Sequence, residues 1–81
     1  MLKVSVISPE ATLFQGEAKQ LVAPAFDGEV GILAGHAPMV TTLGNGELRI
    51  DDGAQRFKVE GGFMQVVDDV VRVVTERATK L

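Results

Sequence analysis

The chain has 81 residues, no cysteine, and eight Lys and Arg against eleven Asp and Glu, a formal net charge of −3. That length allows one small core. The lack of cysteine excludes a disulfide framework and thiolate chemistry and fits a reducing compartment, while basic residues scattered from Lys3 to Lys80 exclude the clustered cations of a nucleic-acid surface.

In chain order the signals are those of strands. Leu2 to Ser8 alternates with Leu2, Val4 and Val6 on one face, and Pro9 ends the run by removing an amide donor. Thr12 to Ala23 reads as one long strand, with Phe14, Gly16, Ala18, Gln20 and Val22 sharing a face, Gly16 allowing a bend, and Pro24 closing it. Asp27 to Thr41 holds three glycines, the only histidine and Pro38, yet Val30, Ile32, Leu33, Met39 and Val40 are apolar. This segment is expected to strand, bend and strand again inside the core. Gly44-Asn45-Gly46 supplies residues that tolerate positive φ, Leu48 and Ile50 point inward, Asp52-Gly53 turns, and Phe57 and Val59 repeat the inward pattern. Gly61-Gly62 breaks the run, and Phe63 to Val67 and Val70 to Thr75 form a last hairpin around Asp68-Asp69. Glu76 to Leu81 is the one helical candidate and is expected to fray. About eight to ten short strands joined by turns predict an all-β, antiparallel β-sandwich or flattened barrel spanning residues 1–81.

Chemistry-bearing groups are sparse. His36 has only Ser5 and Ser8 as serine partners, both in a strand, which is poor material for a nucleophile and base. The aspartates (Asp27, Asp51, Asp52, Asp68, Asp69) occupy turn positions, where Asp is common for backbone reasons, so neither a metal nor a cofactor is expected. Gly31 to Gly35 resembles a phosphate loop only in its glycines, because no Lys-Ser or Lys-Thr and no long helix follows. Two readings stand for His36: a ring satisfied by neighbouring backbone at the Gly-His-Ala-Pro bend, or an exposed contact residue. Glu29 divides in the same way, between a solvated acid at a turn tip and one that meets a basic partner.

Gly28-Glu29-Val30-Gly31-Ile32-Leu33-Ala34-Gly35-His36-Ala37-Pro38-Met39-Val40-Thr41, followed by Leu43, Gly46 and Leu48-Arg49-Ile50, resembles the signature of the epsilon subunit of F-type ATP synthase. Val6 to Glu17, Gly61-Gly62-Phe63 and Val70 to Thr75 fit as well, so the resemblance covers nearly the whole chain. It implies a β-sandwich of the rotor's central stalk, without bond chemistry of its own, that grips the gamma subunit and sits on the c-ring. By position it places Glu29 toward the c-ring and Ser8, His36 and Thr41 toward gamma, with Gly28, Gly31, Gly35 and Pro38 shaping the loops. It also implies a peripheral place on the cytoplasmic side of a bacterial inner membrane. No apolar run is long enough to span a bilayer, and Met1-Leu2-Lys3 does not open a signal peptide, in keeping with a cytoplasmic protein.

The sequence departs from the family in two ways. Ala34 stands where the family usually has Pro before Gly-His, which loosens φ at that bend. Many members also continue into a pair of C-terminal helices that inhibit ATP hydrolysis or bind ATP, and with only the β part in hand neither property is carried over. The competing reading is a free-standing β-sandwich binding module that uses the 27–41 loops for a small ligand or peptide; an enzyme ranks third.

Overall fold

A computed structural model describes residues 1–81 as ten strands and no helix: β1 (Leu2–Ile7), β2 (Thr12–Ala18), β3 (Gln20–Ala25), β4 (Gly28–Leu33), β5 (Met39–Thr42), β6 (Asn45–Ile50), β7 (Gln55–Glu60), β8 (Phe63–Val67), β9 (Val70–Val74) and β10 (Arg77–Lys80). They form two five-stranded sheets, β2-β1-β9-β8-β5 and β10-β7-β6-β3-β4, the sandwich expected from the strand pattern. Alternation does the folding work. Leu2, Val4, Val6, Met64, Val66, Val71 and Val73 face inward from the first sheet and meet Leu21, Ala23, Ile32, Leu48, Ile50, Phe57 and Val59 from the second, all buried.

Four features differ from the sequence reading, each because of a partner distant in the chain. Pairing is not antiparallel throughout: β1 runs parallel to β9, Lys3 beside Val70 and Ile7 beside Val74. A two-residue hairpin forbids parallel strands only between neighbours in sequence, and these two belong to opposite ends of the chain. Thr12 to Ala23 is not one strand. The chain changes sheets at Lys19, where the Asp51 carboxylate accepts the Lys19 amide at 2.6 Å and the Gln20 amide at 3.4 Å. Burial therefore jumps from Ala18 to Leu21 and Ala23, and the single face drawn from Phe14 to Val22 is broken. Pro24 does not close β3, which continues to Ala25. Regular pairing with β6 covers only Leu21 and Val22, so a residue without an amide hydrogen is tolerated just past it. Residues 77–80 pair with β7 as an edge strand; ladder bonds there outweigh a helix too short to nucleate.

The glycines around residue 45 also act otherwise than expected. Neither Gly44 nor Gly46 has a positive φ. They are spacers: a Cβ at Gly46 would lie 2.9 Å from the Pro24 Cβ, and one at Gly44 would lie 3.3 Å from the Ala25 carbonyl oxygen. Positive φ instead falls at Asp51, Asp52 and Gly53, in the four-residue loop between β6 and β7, and at Asp68 and Asp69, the two-residue loop between β8 and β9, where left-handed residues suit strands of right-handed twist.

Candidate functional site

Asp27 to Thr41 is not core. It forms two edge strands, β4 in one sheet and β5 in the other, and of its large apolar residues only Ile32 is fully buried; Leu33 and Val40 are exposed. Phe26 and Asp27 make the turn between β3 and β4, and Gly28 follows at φ +131. Glu29 is thus one residue inside β4, opposite Pro24, and not at the turn tip. Its carboxylate reaches over β3 to Arg49 on β6, accepting from both guanidinium nitrogens at 3.1 and 3.3 Å. Arg49 also lies 3.6 Å from Glu47, which lies 3.6 Å from Arg56 on β7. The hydrogen bonds and the negative charge of Glu29 push the Arg49 guanidinium above its ordinary range, so it stays cationic. Since both side chains touch solvent, the pair orients Glu29 more than it stabilises the fold.

His36 lies in the connection from β4 to β5. Its amide donates to the Leu33 carbonyl at 3.2 Å, closing a turn with Ala34 second and Gly35 third at φ +84. Its Nδ1 lies 2.7 Å from the Ala37 carbonyl oxygen, which can only accept, so that nitrogen carries the proton. The Gly35 amide donates to Asp69 at 2.7 Å and ties this bend to the β8–β9 turn. Gly35, His36, Pro38, Asp68 and Asp69 line an open depression there. Gly31 bends nothing: it sits in the β4 ladder opposite Val22, with no positive φ and open space where a Cβ would be.

Ser8, His36 and Thr41 do not converge. Ser8 closes the turn after β1 through bonds with Ala11, its amide donating at 2.9 Å. His36 neighbours the β8–β9 turn, whose Asp69 carbonyl accepts from the Lys3 amide at the other end of β1. Five residues of extended chain, roughly 15 Å, separate Lys3 from Ser8. Thr41 stands on the β5 edge opposite Met64. The three mark the perimeter of one sheet, and Glu29 belongs to the other.

What the sequence reading did not find is the outer face of the first sheet. In register it carries Val40 and Thr42 from β5, Phe63, Gln65 and Val67 from β8, Val70, Arg72 and Val74 from β9, and Lys3, Ser5 and Ile7 from β1. Four apolar side chains there are well exposed: Val40 69%, Phe63 43%, Val67 40% and Val70 43%. The available signal was that β8 and β9 are apolar on both faces, unlike β7, where Arg56, Lys58 and Glu60 alternate with the core residues. No group of three or more His, Asp or Glu converges as a metal site. What the arrangement offers is two broad faces of different chemistry on one rigid body, one apolar and one threaded with ion pairs.

A family model described as ATP synthase, Delta/Epsilon chain, beta-sandwich domain matches residues 1–81. The chain belongs to this family. Among its relatives, the ATP synthase epsilon chain of Leptospira borgpetersenii serovar Hardjo-bovis is 49% identical over 77 residues, which are 93% of this chain and 61% of that protein. The ATP synthase epsilon chain of Caulobacter vibrioides is 38% identical over 81 residues, covering 98% of this chain and 94% of that one. The chain therefore spans about three fifths of the Leptospira relative, at 61%, and nearly all of the Caulobacter one. A chain in the cryo-EM structure of Euglena gracilis mitochondrial ATP synthase, OSCP/F1/c-ring in rotational state 1, superposes with a TM-score of 0.88 at 25% identity, covering 98% of this chain and 52% of that one. The family thus carries the sandwich that the strand pattern predicts, and the segment from Gly28 to Thr41 that resembles its signature supplies the β4 and β5 edges.

Proposed function

We propose that the chain is a non-catalytic subunit of the central stalk of an F-type ATP synthase, held between gamma and the c-ring and passing rotation between them. The observation that carries this reading is the division of the molecule into two faces of different chemistry, one apolar and one lined with ion pairs. Ser8, Thr41 and His36, which the family resemblance gives to gamma, frame the sheet whose outer face exposes Val40, Phe63, Val67 and Val70. Glu29, given to the c-ring, lies on the opposite sheet inside an ion-pair network. Torque passes only through contacts that resist shear. A rigid sheet with an apolar outer face suits a broad, desolvated contact, and a charged face suits the polar loops of a ring.

In this role the protein makes and breaks no covalent bonds, and it sits peripherally on the cytoplasmic side of the membrane as part of the complex. The test is capture from a lysate containing the whole ATP synthase, with gamma and the c-subunit probed separately. Both are expected in the bound fraction. Recovery of neither, together with tight binding of a small molecule in the Gly35–His36–Asp69 depression, would replace this reading with that of a free-standing binding module.

A further inference from the structure

We propose that Arg72 is the specificity-determining charge of the apolar sheet face, and that it pairs there with a carboxylate which the partner presents among its own apolar side chains. The inference rests on the reading above, in which this face is an interface. Its starting point is position. β9 is the middle strand of β2-β1-β9-β8-β5, and Arg72 is the middle residue of β9. Its side chain points outward, away from buried Val71 and Val73. Beside it stand Ser5 on β1 and Gln65 on β8, and along its own strand Val70 and Val74; one row away are Ile7, Phe63 and Val67. Lys3, in register with Val70, completes this ring and is its one charged member; the ring holds no acid. Whereas Arg49 and Arg56 are held by Glu29 and Glu47, Arg72 has no ion pair within the chain.

Charge points the same way. The molecule carries −3 overall, yet across the outer positions of β1, β9, β8 and β5 the ionised side chains are Lys3 and Arg72, with no acid; acids stand only at the margins, Glu17 on edge strand β2 in register with Lys3, and Asp68 in the β8–β9 turn, which lines one depression with Arg72 but forms no ion pair with it. A cationic centre on an anionic molecule sets this face apart electrostatically from the rest of the surface and selects a partner that brings negative charge to it. Arg is the residue type that anchors the centres of such contacts. Its aliphatic stem can lie along neighbouring Val70 and Val74 while its planar fork takes a carboxylate through two parallel bonds. Covering this face with apolar surface desolvates the guanidinium, and an Arg buried among valines is tolerated only with a full countercharge. A partner that is merely apolar would be rejected at this point.

The test measures affinity of the chain for F1 stripped of this subunit, comparing the wild type with Arg72→Met, Arg72→Glu and Val67→Asp. Arg72 is exposed, so the variants are expected to melt with the wild type. The expected result is about 30-fold or more weaker binding for Arg72→Met, the loss typical of removing one partner of a buried charge pair, and a larger loss for Arg72→Glu, which brings two acids together. Unchanged affinity for Arg72→Met, or a loss with Arg72→Glu no greater than with Arg72→Met, overturns the pairing. Val67→Asp separates the two levels: if it alone weakens binding, only the role of Arg72 falls. If it too leaves affinity intact, the face is not the interface.

Discussion

A methyl group on Gly62 would overlap the Val74 carbonyl oxygen and lie 2.6 Å from the Thr75 Cα, and the backbone there has φ +102. Neither strain can relax alone, because the Gly62 carbonyl accepts from the Leu43 amide at 2.9 Å and Thr75 is buried, its hydroxyl close to the Glu60, Gly61 and Arg77 carbonyls. Gly62→Ala is expected to cost more than about 3 kcal/mol, read from urea unfolding, because a forbidden φ and a backbone clash act together. Ala34 is the opposite case. It holds the second position of the turn that Gly35 completes, it is exposed, and its amide makes no turn or loop bond to the backbone. Proline, the usual family residue there, presets the φ this position needs, so Ala34→Pro should raise stability by roughly 0.4–1 kcal/mol through the unfolded chain. A fall in the unfolding midpoint would show that the turn requires the alanine amide.

At the scale of elements, the two sheets are tied together by their turns. Asp69 does two things at once: it adopts φ +62 in a two-residue hairpin loop, and its carboxylate accepts the Gly35 amide, linking the β8–β9 hairpin to the bend before β5. Alanine loses both, while asparagine keeps an acceptor and tolerates the left-handed region. Asp69→Ala is therefore expected to cost about 1–3 kcal/mol and Asp69→Asn much less. In hydrogen exchange the alanine variant should also unprotect the Gly35 and His36 amides. Equal costs for the two variants would mean that the carboxylate bond contributes little. Asp51 works in the same way at Lys19, 32 residues away in sequence. That distance explains why the break between β2 and β3 could not be read locally: the run from Thr12 to Ala23 is extended throughout, and only the remote carboxylate marks where it changes sheets.

For the whole molecule, one core joins the sheets, and Phe57 is the largest side chain fully inside it. Phe57→Ala should destabilise the protein by roughly 3–5 kcal/mol, the range for an aromatic cavity in a packed interior; a melting temperature barely altered would reverse the assigned face of β7. The assembly prediction belongs to this scale too. Glu29→Lys puts a cation beside Arg49 and is expected to weaken association with the c-ring, more at low salt than at high, because exposed charges are screened over about 8 Å at physiological ionic strength. Association unchanged at every salt concentration would remove Glu29 from that contact. Arg49→Met is the companion variant: it frees the Glu29 carboxylate without changing its sign, and so separates the charge of Glu29 from its orientation.

The amino-acid order by itself determined most of the strands and turns and the inward faces of β1, β6 and β7, though not the break between β2 and β3 or the strand β10, because alternation and left-handed turn residues act over two to four neighbours. The family was legible for a related reason: the glycines, His36 and Pro38 stand close together in sequence from Gly28 to Thr41 and need no partner to be seen. Only the tertiary structure decided which sheet each strand joins, that β1 lies parallel to β9, that Glu29 is held by Arg49, and that Phe63, Val67 and Val70 face outward around Arg72. The physical reason is range. Strand pairing brings together residues dozens of positions apart, and where a strand is apolar on both sides, as in Val70-Val71-Arg72-Val73-Val74, only the opposing sheet settles which side is covered.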